Sequence, residues 1–386
     1  MKRKMKWVRA VVAAMTMGSV LAINVGCNAT SDSSELNATD AGTSSGTEAT
    51  DGAQADTLVA SETEEEEPEP VETEITVSLA GDCSLGKLAT HPEEVSLWAY
   101  YDEYGEDYFF QNVKDIFEAD SMTLVNFEGV LTDSDDLVTK AYNIKGRPEF
   151  IGILPAASIE AVTFGNNHRI DYGVQGYTDT IALFDEYGIT WAYDDNYAIY
   201  ETPEGITIGY VSVSEVDDGT GVEQYLQDGI AYLKEQDVDL IFCACHWGIE
   251  RDYYPNDYQQ ELGKKCIDWG ADLVIGDHPH VLQGFEYYNG AYIIYSLGNF
   301  CFGANRNPDD KNSMIVQASF HFTDGELDEE PVLTVIPCSI SSVTTTNDFC
   351  PTPLTGESGA EVISLLNEYS SPFGVTIDEN GVLSHP

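Results

Sequence analysis

Five short apolar runs in this chain each stop beside glycine and a residue that can bind a cation or carry a proton. They end in Ala80-Gly81-Asp82, Phe127-Glu128-Gly129, Gly165-Asn166-Asn167-His168, Cys245-His246-Trp247-Gly248 and Gly276-Asp277-His278-Pro279-His280. Apolar runs of four to eight residues bounded by turn signals read as buried strands. Helical stretches at 173–187, 222–235 and 257–269 stand between them, and Gly188 and Gly270 are good helix stops. A further helix is expected at 111–119, and more strands at 206–213, 284–287, 291–296, 314–322 and 332–337. Strand alternating with helix predicts an α/β fold, in which sites gather where strands end and loops converge over the sheet edge. Glycine at those ends permits tight turns and close backbone approach. Four of the chain's seven histidines occupy them, which chance placement does not produce.

Each histidine has a reading. His278-Pro279-His280 puts two imidazoles two residues apart on a stiff, extended segment, so both can point into one cavity. His246 closes a buried strand. His168 precedes Asp171 by three residues, so a carboxylate can orient its ring. His91, His321 and His385 lack such a setting and read as surface or packing residues.

The ends of the chain read differently. Residues 1–27 form an export signal: five bases in the first nine residues, then a broken apolar stretch closed by Gly26-Cys27, too short for a comfortable transmembrane helix. A cysteine there resembles the lipobox of bacterial lipoproteins, with Asn24 where leucine is usual; the resemblance implies acylation of Cys27 and a membrane anchor, the alternative being an uncleaved signal anchor or an ordinary secretory peptide. Residues 28–74 hold 14 acids, no base and no aromatic residue, and are expected to be a disordered, self-repelling tether. The folded domain is expected at 75–340, with 341–386 as a C-terminal extension packed on it. Of the eight cysteines, the seven after Cys27 are odd in number and irregularly spaced, which is no disulfide framework. Cys243 and Cys245 read as small core residues.

With 17 bases against 67 acids the formal net charge is -50, which argues against nucleic acid as a partner. The run from Lys140 through Lys145 to Arg147 reads as a solvated loop.

Several motifs together carry a resemblance. Gly81-Asp82 with Leu85-Gly86, Asn126-Phe127-Glu128-Gly129 and Phe164-Gly165-Asn166-Asn167-His168 with Asp171-Tyr172-Gly173 are three of them. His246-Trp247-Gly248, Gly276-Asp277-His278-Pro279-His280-Val281-Leu282-Gln283 and Tyr295-Ser296-Leu297-Gly298-Asn299-Phe300 complete the set. In this order they resemble the CapA capsule-synthesis family, also called the poly-γ-glutamate synthesis family, similar in fold to calcineurin-like metallophosphoesterases. The resemblance implies a four-layer α/β/β/α sandwich with a metal site of one or two divalent ions, Mn, Fe or Zn, at one sheet edge. It implies that Asp82 and His280 bind a first metal, that Glu128 bridges, and that Asn167, His246 and His278 bind a second. His168 would protonate a leaving oxygen, oriented by Asp171. Two departures stand out: Ser84 occupies a position where phosphoesterases carry histidine, and Glu128 is longer than the usual bridging aspartate. Two functions follow as expectations: a metal-dependent hydrolase acting on a phosphoester or related polymer, or a non-catalytic anchored component for export or assembly of an anionic polymer, beside membrane polymer-synthesis proteins.

Overall fold

The computed structural model describes residues 69–328 and 330–386. The expected signal, Cys27 and the tether up to residue 68 lie outside the described residues. Two sheets face each other. The first runs in the order Thr352–Pro353, Val332–Ser339, Asn312–Thr323, Glu72–Ser84, Met122–Phe127, Ala161–Thr163, Thr190–Ala192, with Asn299–Phe302 also paired to Glu72–Ser84. The second runs Phe285–Tyr288, Ala291–Ile294, Leu273–Asp277, Leu240–His246, Thr207–Ser214, Ala198–Glu201.

Strand alternation builds the layers. Ile75, Val77 and Leu79 point into a core shared with Tyr210, Leu240, Phe242 and Ile275 of the other sheet. Residues of opposite parity, Ala80, Val125 and Phe127, pack outward with Phe184 of the helix Gly173–Tyr187. On the far side Ile241, Cys243 and Cys245 lie under Leu226 and Leu233 of Val222–Glu235 and Leu262 and Cys266 of Asp257–Trp269. The result is the α/β/β/α sandwich that was expected. Truncating a residue such as the fully buried Phe242 to alanine costs about 3–5 kcal/mol in a core of this kind. The seven described cysteines are free and buried, Cys243 and Cys245 among them.

The strands that matter for the site run parallel. Glu72–Ser84, Met122–Phe127 and Ala161–Thr163 are parallel neighbours in one sheet, and Thr207–Ser214, Leu240–His246 and Leu273–Asp277 in the other. Parallel strands need helical crossovers, and those helices are well punctuated. Asn256 and Gln259 form a capping box at the start of Asp257–Trp269. Gly188 and Gly270 close their helices with φ of 70° and 109°, a left-handed turn glycine makes freely.

Three details differ from expectation. The first strand begins at Glu72, because Glu72, Thr73 and Glu74 pair with Thr323, Phe322 and His321, so the end of the acidic segment is strand. The helix expected at 111–119 shrinks to Lys114–Phe117, since Phe109, Phe110, Val113 and Phe117 are all buried in one cluster and packing sets the turns. The C-terminal stretch is part of the core: Val362 and Leu366 of the helix Gly356–Ser370, with Ile377 and Leu383, join the buried cluster that both sheets share. Among the described residues no helix is long and apolar enough to cross a membrane.

Candidate metal centre

The ends of both parallel sets meet because their backbones can touch. A Cβ on Gly81 would lie 1.9 Å from the Gly298 carbonyl oxygen, and one on Gly276 2.1 Å from that of Tyr295. The Asp82 N–H donates to the same Gly298 oxygen at 2.9 Å, and Asp82 pairs with Asn299. Only glycine allows this closeness.

Asp82, Glu128 and His280 form the first half of the centre, with ligand atoms all within 4.8 Å of one another. Asp82 Oδ1 accepts from Asn126 Nδ2 at 2.7 Å, while Oδ2 lies 3.0 Å from His280 Nδ1. His280 Nε2 is 3.9 Å from Glu128 Oε1. Asp82 and Glu128 are fully buried. Burial, with the Asp82 carboxylate beside it, pushes the Glu128 carboxyl up to about 8. Burial opposes charge on His280, but the carboxylates of Glu128 and Asp82 outweigh it and push the imidazole up to about 10.

Asn167, His246 and His278 form the second half. His246 Nε2 lies 3.1 Å from both Asn167 Oδ1 and His278 Nδ1. Burial, then neighbouring imidazoles, holds His246 well below the usual histidine range and His278 at about 4, so both rings are neutral. Asn126 joins the halves: its amide nitrogen reaches Asp82 Oδ1 and lies 3.3 Å from His246 Nδ1, and its oxygen accepts from Thr163 and Asn166.

His168 stands at the margin of both. Its Nδ1 is 2.7 Å from Asp171 Oδ2 and its Nε2 3.6 Å from Glu128 Oε1. Asp171 is fully buried and its Oδ2 also accepts the Ile144 N–H at 2.6 Å. Glu128, His168, His280 and Asn299 open into a cleft of about 330 Å³, walled by Leu88, Ile144 and Phe302 and rimmed by Glu250, Asp309 and Asp310.

All eight residues singled out in the folded part converge here. One geometric expectation fails. His278 and His280 do not sit on extended backbone: their φ angles are 97° and 57°. Their rings still approach to 5.6 Å between centroids, because two left-handed residues curl the segment. Such conformations cost about 1–3 kcal/mol each and persist where surroundings over-determine them. Asn299 does so here, donating to the His280 carbonyl and accepting at its Nδ1, both at 3.0 Å. Sequence reasoning gave no role to Asn126, Asn299 or Asp277, although each lies inside a quoted motif. Lys140 is also no solvated residue, for it donates to Asp171 Oδ1 at 2.7 Å. Lys145 and Arg147 pair with Asp135 and Asp102.

The side chains fit a cation. Asp82 Oδ2 and both Glu128 oxygens are buried without a hydrogen-bond partner, as is Asp277 Oδ1. Buried carboxylate oxygens without partners are costly, and a cation removes that cost.

Known proteins share this arrangement of sequence. The profile of the bacterial capsule synthesis protein family, PGA_cap, matches residues 76–304. The PGA biosynthesis protein CapA of Bacillus subtilis is 31% identical over 248 residues, which are 59% of this chain and 63% of that protein. The capsule biosynthesis protein CapA of Bacillus anthracis is 28% identical over 69% of this chain and 67% of its own length. Among solved structures, sulfate thiohydrolase SoxB of Thermus thermophilus aligns over 77% of this chain and 60% of that one at 12% identity, with a TM-score of 0.36, too loose a likeness to argue from. The family profile spans more than half of the chain and takes in every ligand candidate from Asp82 to His280: this protein belongs to the bacterial capsule synthesis family.

Proposed function

We propose that this protein is a metal-dependent hydrolase of phosphoester-type bonds that serves capsule or poly-γ-glutamate biosynthesis outside the cytoplasm. The observation that carries the reading is the cluster of Asp82, Glu128 and His280, where three buried carboxylate oxygens lack hydrogen-bond partners and have the His280 ring, with that of His168 at 3.6 Å, beside them. Asp82, Glu128 and His280 would hold one divalent cation, and Asn167, His246 and His278 a second; mixed oxygen and nitrogen donors suit Mn, Fe or Zn. Such ions, when bound, acidify water and polarise a phosphoryl oxygen. His168 would give its Nε2 proton to the leaving oxygen, with Asp171 fixing the ring from the opposite nitrogen. Glu250, Asp309 and Asp310 outnumber Arg251 along the cleft lining, and this net negative charge would oppose a long polyanion more than a compact ester.

Ser84 favours a second reading. Its hydroxyl is buried without a partner at the position where phosphoesterases carry histidine, as an accessory protein without turnover would tolerate. A relative 25% identical over 47% of this chain, from Mycobacterium tuberculosis, is named a probable polyglutamine synthesis accessory protein. In either reading Cys27 would carry the lipid anchor, and Cys27→Ala should release the protein from the membrane fraction.

The deciding experiment measures metal content and hydrolysis of bis(p-nitrophenyl) phosphate by the full chain with Mn added. His168→Ala should keep its metal and lose turnover by about 10²–10⁴-fold. If the wild type turns over nothing and cells carrying His168→Ala make normal polymer, the hydrolase reading falls and the accessory reading stands.

A further inference from the structure

Lys140 lies outside every motif, yet its ammonium group reaches into the most buried part of the His168 environment. It comes from the loop between the short strands Val130–Leu131 and Ile144–Gly146, which folds across the turn carrying Asn167 to Asp171. There Lys140 Nζ donates to the Asn167 carbonyl at 2.9 Å and to Asp171 Oδ1 at 2.7 Å. Its side chain keeps 28% exposure, whereas that of Asp171 keeps none.

Donor counting fixes the arrangement. An ammonium has three donors and no acceptor. Asp171 Oδ2 accepts from the Ile144 N–H and lies 2.7 Å from His168 Nδ1, so that ring nitrogen carries the hydrogen. Lys140 Nζ, 3.4 Å from the same nitrogen, therefore makes no hydrogen bond to it. Its two bonds go instead to the carboxylate that orients the ring and to the carbonyl of the residue before it. A buried carboxylate also needs a counter-charge, and among the described residues Lys140 is the one lysine or arginine that salt-bridges Asp171, whose other oxygen meets the His168 ring. The loop adds two neutral bonds of its own: Asn143 Nδ2 and the Val138 N–H both donate to the Asp171 carbonyl.

We propose that Lys140 is a positioning residue for His168. It clamps Asp171 to the Asn167 carbonyl, so that the ring has one orientation: Nδ1–H stays on Asp171 whether the ring is neutral or an imidazolium, and Nε2, the nitrogen that takes up and gives the transferred proton, faces Glu128 and the cleft. The role rests on the reading of His168 as proton donor, but the clamp can be measured without it.

The test uses the full chain loaded with Zn, wild type beside Lys140→Met and Lys140→Arg. Two readouts are taken: the ¹⁵N resonances of the His168 ring, and hydrolysis of bis(p-nitrophenyl) phosphate. Lys140→Met should lose the single Nδ1–H signature and lower kcat about 10–100-fold, as removal of an outer-shell partner does, with KM and metal content unchanged. Lys140→Arg, which can still reach a carbonyl and a carboxylate, should recover most of both. Circular dichroism melting identifies a Lys140→Met protein that does not fold, in which case Lys140→Gln, a neutral donor, takes its place with the same expectation. A Lys140→Met or Lys140→Gln protein with the wild-type ring signature overturns the proposal, whatever its activity. If the wild type turns over nothing while the signature still depends on Lys140, the clamp stands and the hydrolase reading alone falls.

Discussion

The two halves of the centre are made of opposite chemistry. At Asp82, Glu128 and His280 two buried carboxylates share one imidazole, and three oxygens have no hydrogen-bond partner. At Asn167, His246 and His278 the side chains are neutral and already meet one another at 3.1 Å. A cation relieves the first half of an electrostatic cost, whereas in the second it exchanges one set of satisfied contacts for another. The charged half therefore gains most from a metal and competes hardest with protons, while the neutral half needs no proton removed.

The largest expected effect comes from breaking the neutral half. His246 is the member that both Asn167 and His278 touch, so His246→Ala should lose metal and drop turnover to the background rate together, as elemental analysis beside the ester assay would record. Retention of full metal content would show that the charged half suffices alone. Glu128→Gln attacks the other half. It removes a formal charge but keeps the shape, and should lower the metal content by one equivalent while the second remains. Loss of both equivalents would mean that the halves are one site.

Acidity sharpens the comparison further. Glu128, pushed up to about 8, and His280, pushed up to about 10, must each give up a proton before they can ligate. His278, held at about 4, needs none removed at any pH above about 5. Affinity of the charged half should thus fall as pH drops from 8 to 6, by about tenfold per unit for each proton taken up, while the neutral half holds. Zn titrations at pH 6, 7 and 8 check this, and parallel loss at both halves would break the distinction.

Asp171→Asn should have a smaller effect, keeping metal and lowering turnover about 10–100-fold, because it disturbs only what holds His168. The smallest effect lies outside the centre. Burial, with a smaller push from the Glu160 carboxylate, raises Asp120 to about 7 against hydrogen bonds from Ser78 and Thr123. A carboxylate raised in the folded state makes the protein lose stability as pH climbs from its unfolded value near 4 through 7. Asp120→Asn should raise the melting temperature slightly at pH 8 and not at pH 4.

Much of this was legible in the chain. The helices at 173–187, 222–235 and 257–269 carry amphipathic spacing, and the first and last end on glycine, so local chemistry sets them and they form where expected. The ligand candidates were legible because each closes a strand. What escaped depends on contacts between distant residues. Lys140 meets Asp171 31 positions away, and nothing near Lys140 announces it. The left-handed backbone of His278 and His280 follows from Asn299 holding the segment, a constraint invisible in a motif read as an extended dipeptide pair. The turns around Phe109 and Phe117 answer to burial rather than to propensity.

The strand Glu72–Ser84 has a consequence for how the molecule comes into being. It lies inside its sheet, with Met122–Phe127 on one side and Asn312–Thr323 and Asn299–Phe302 on the other. Synthesis proceeds from the N-terminus, so this strand emerges first and its last partners more than 200 residues later. Until they arrive Asp82 has neither the Gly298 carbonyl that fixes its backbone nor His280 beside its carboxylate. The charged half is thus unfinished in a partly made chain. If the centre takes up a metal, the charged half can be filled only after the finished chain has folded, with an ion present where folding ends.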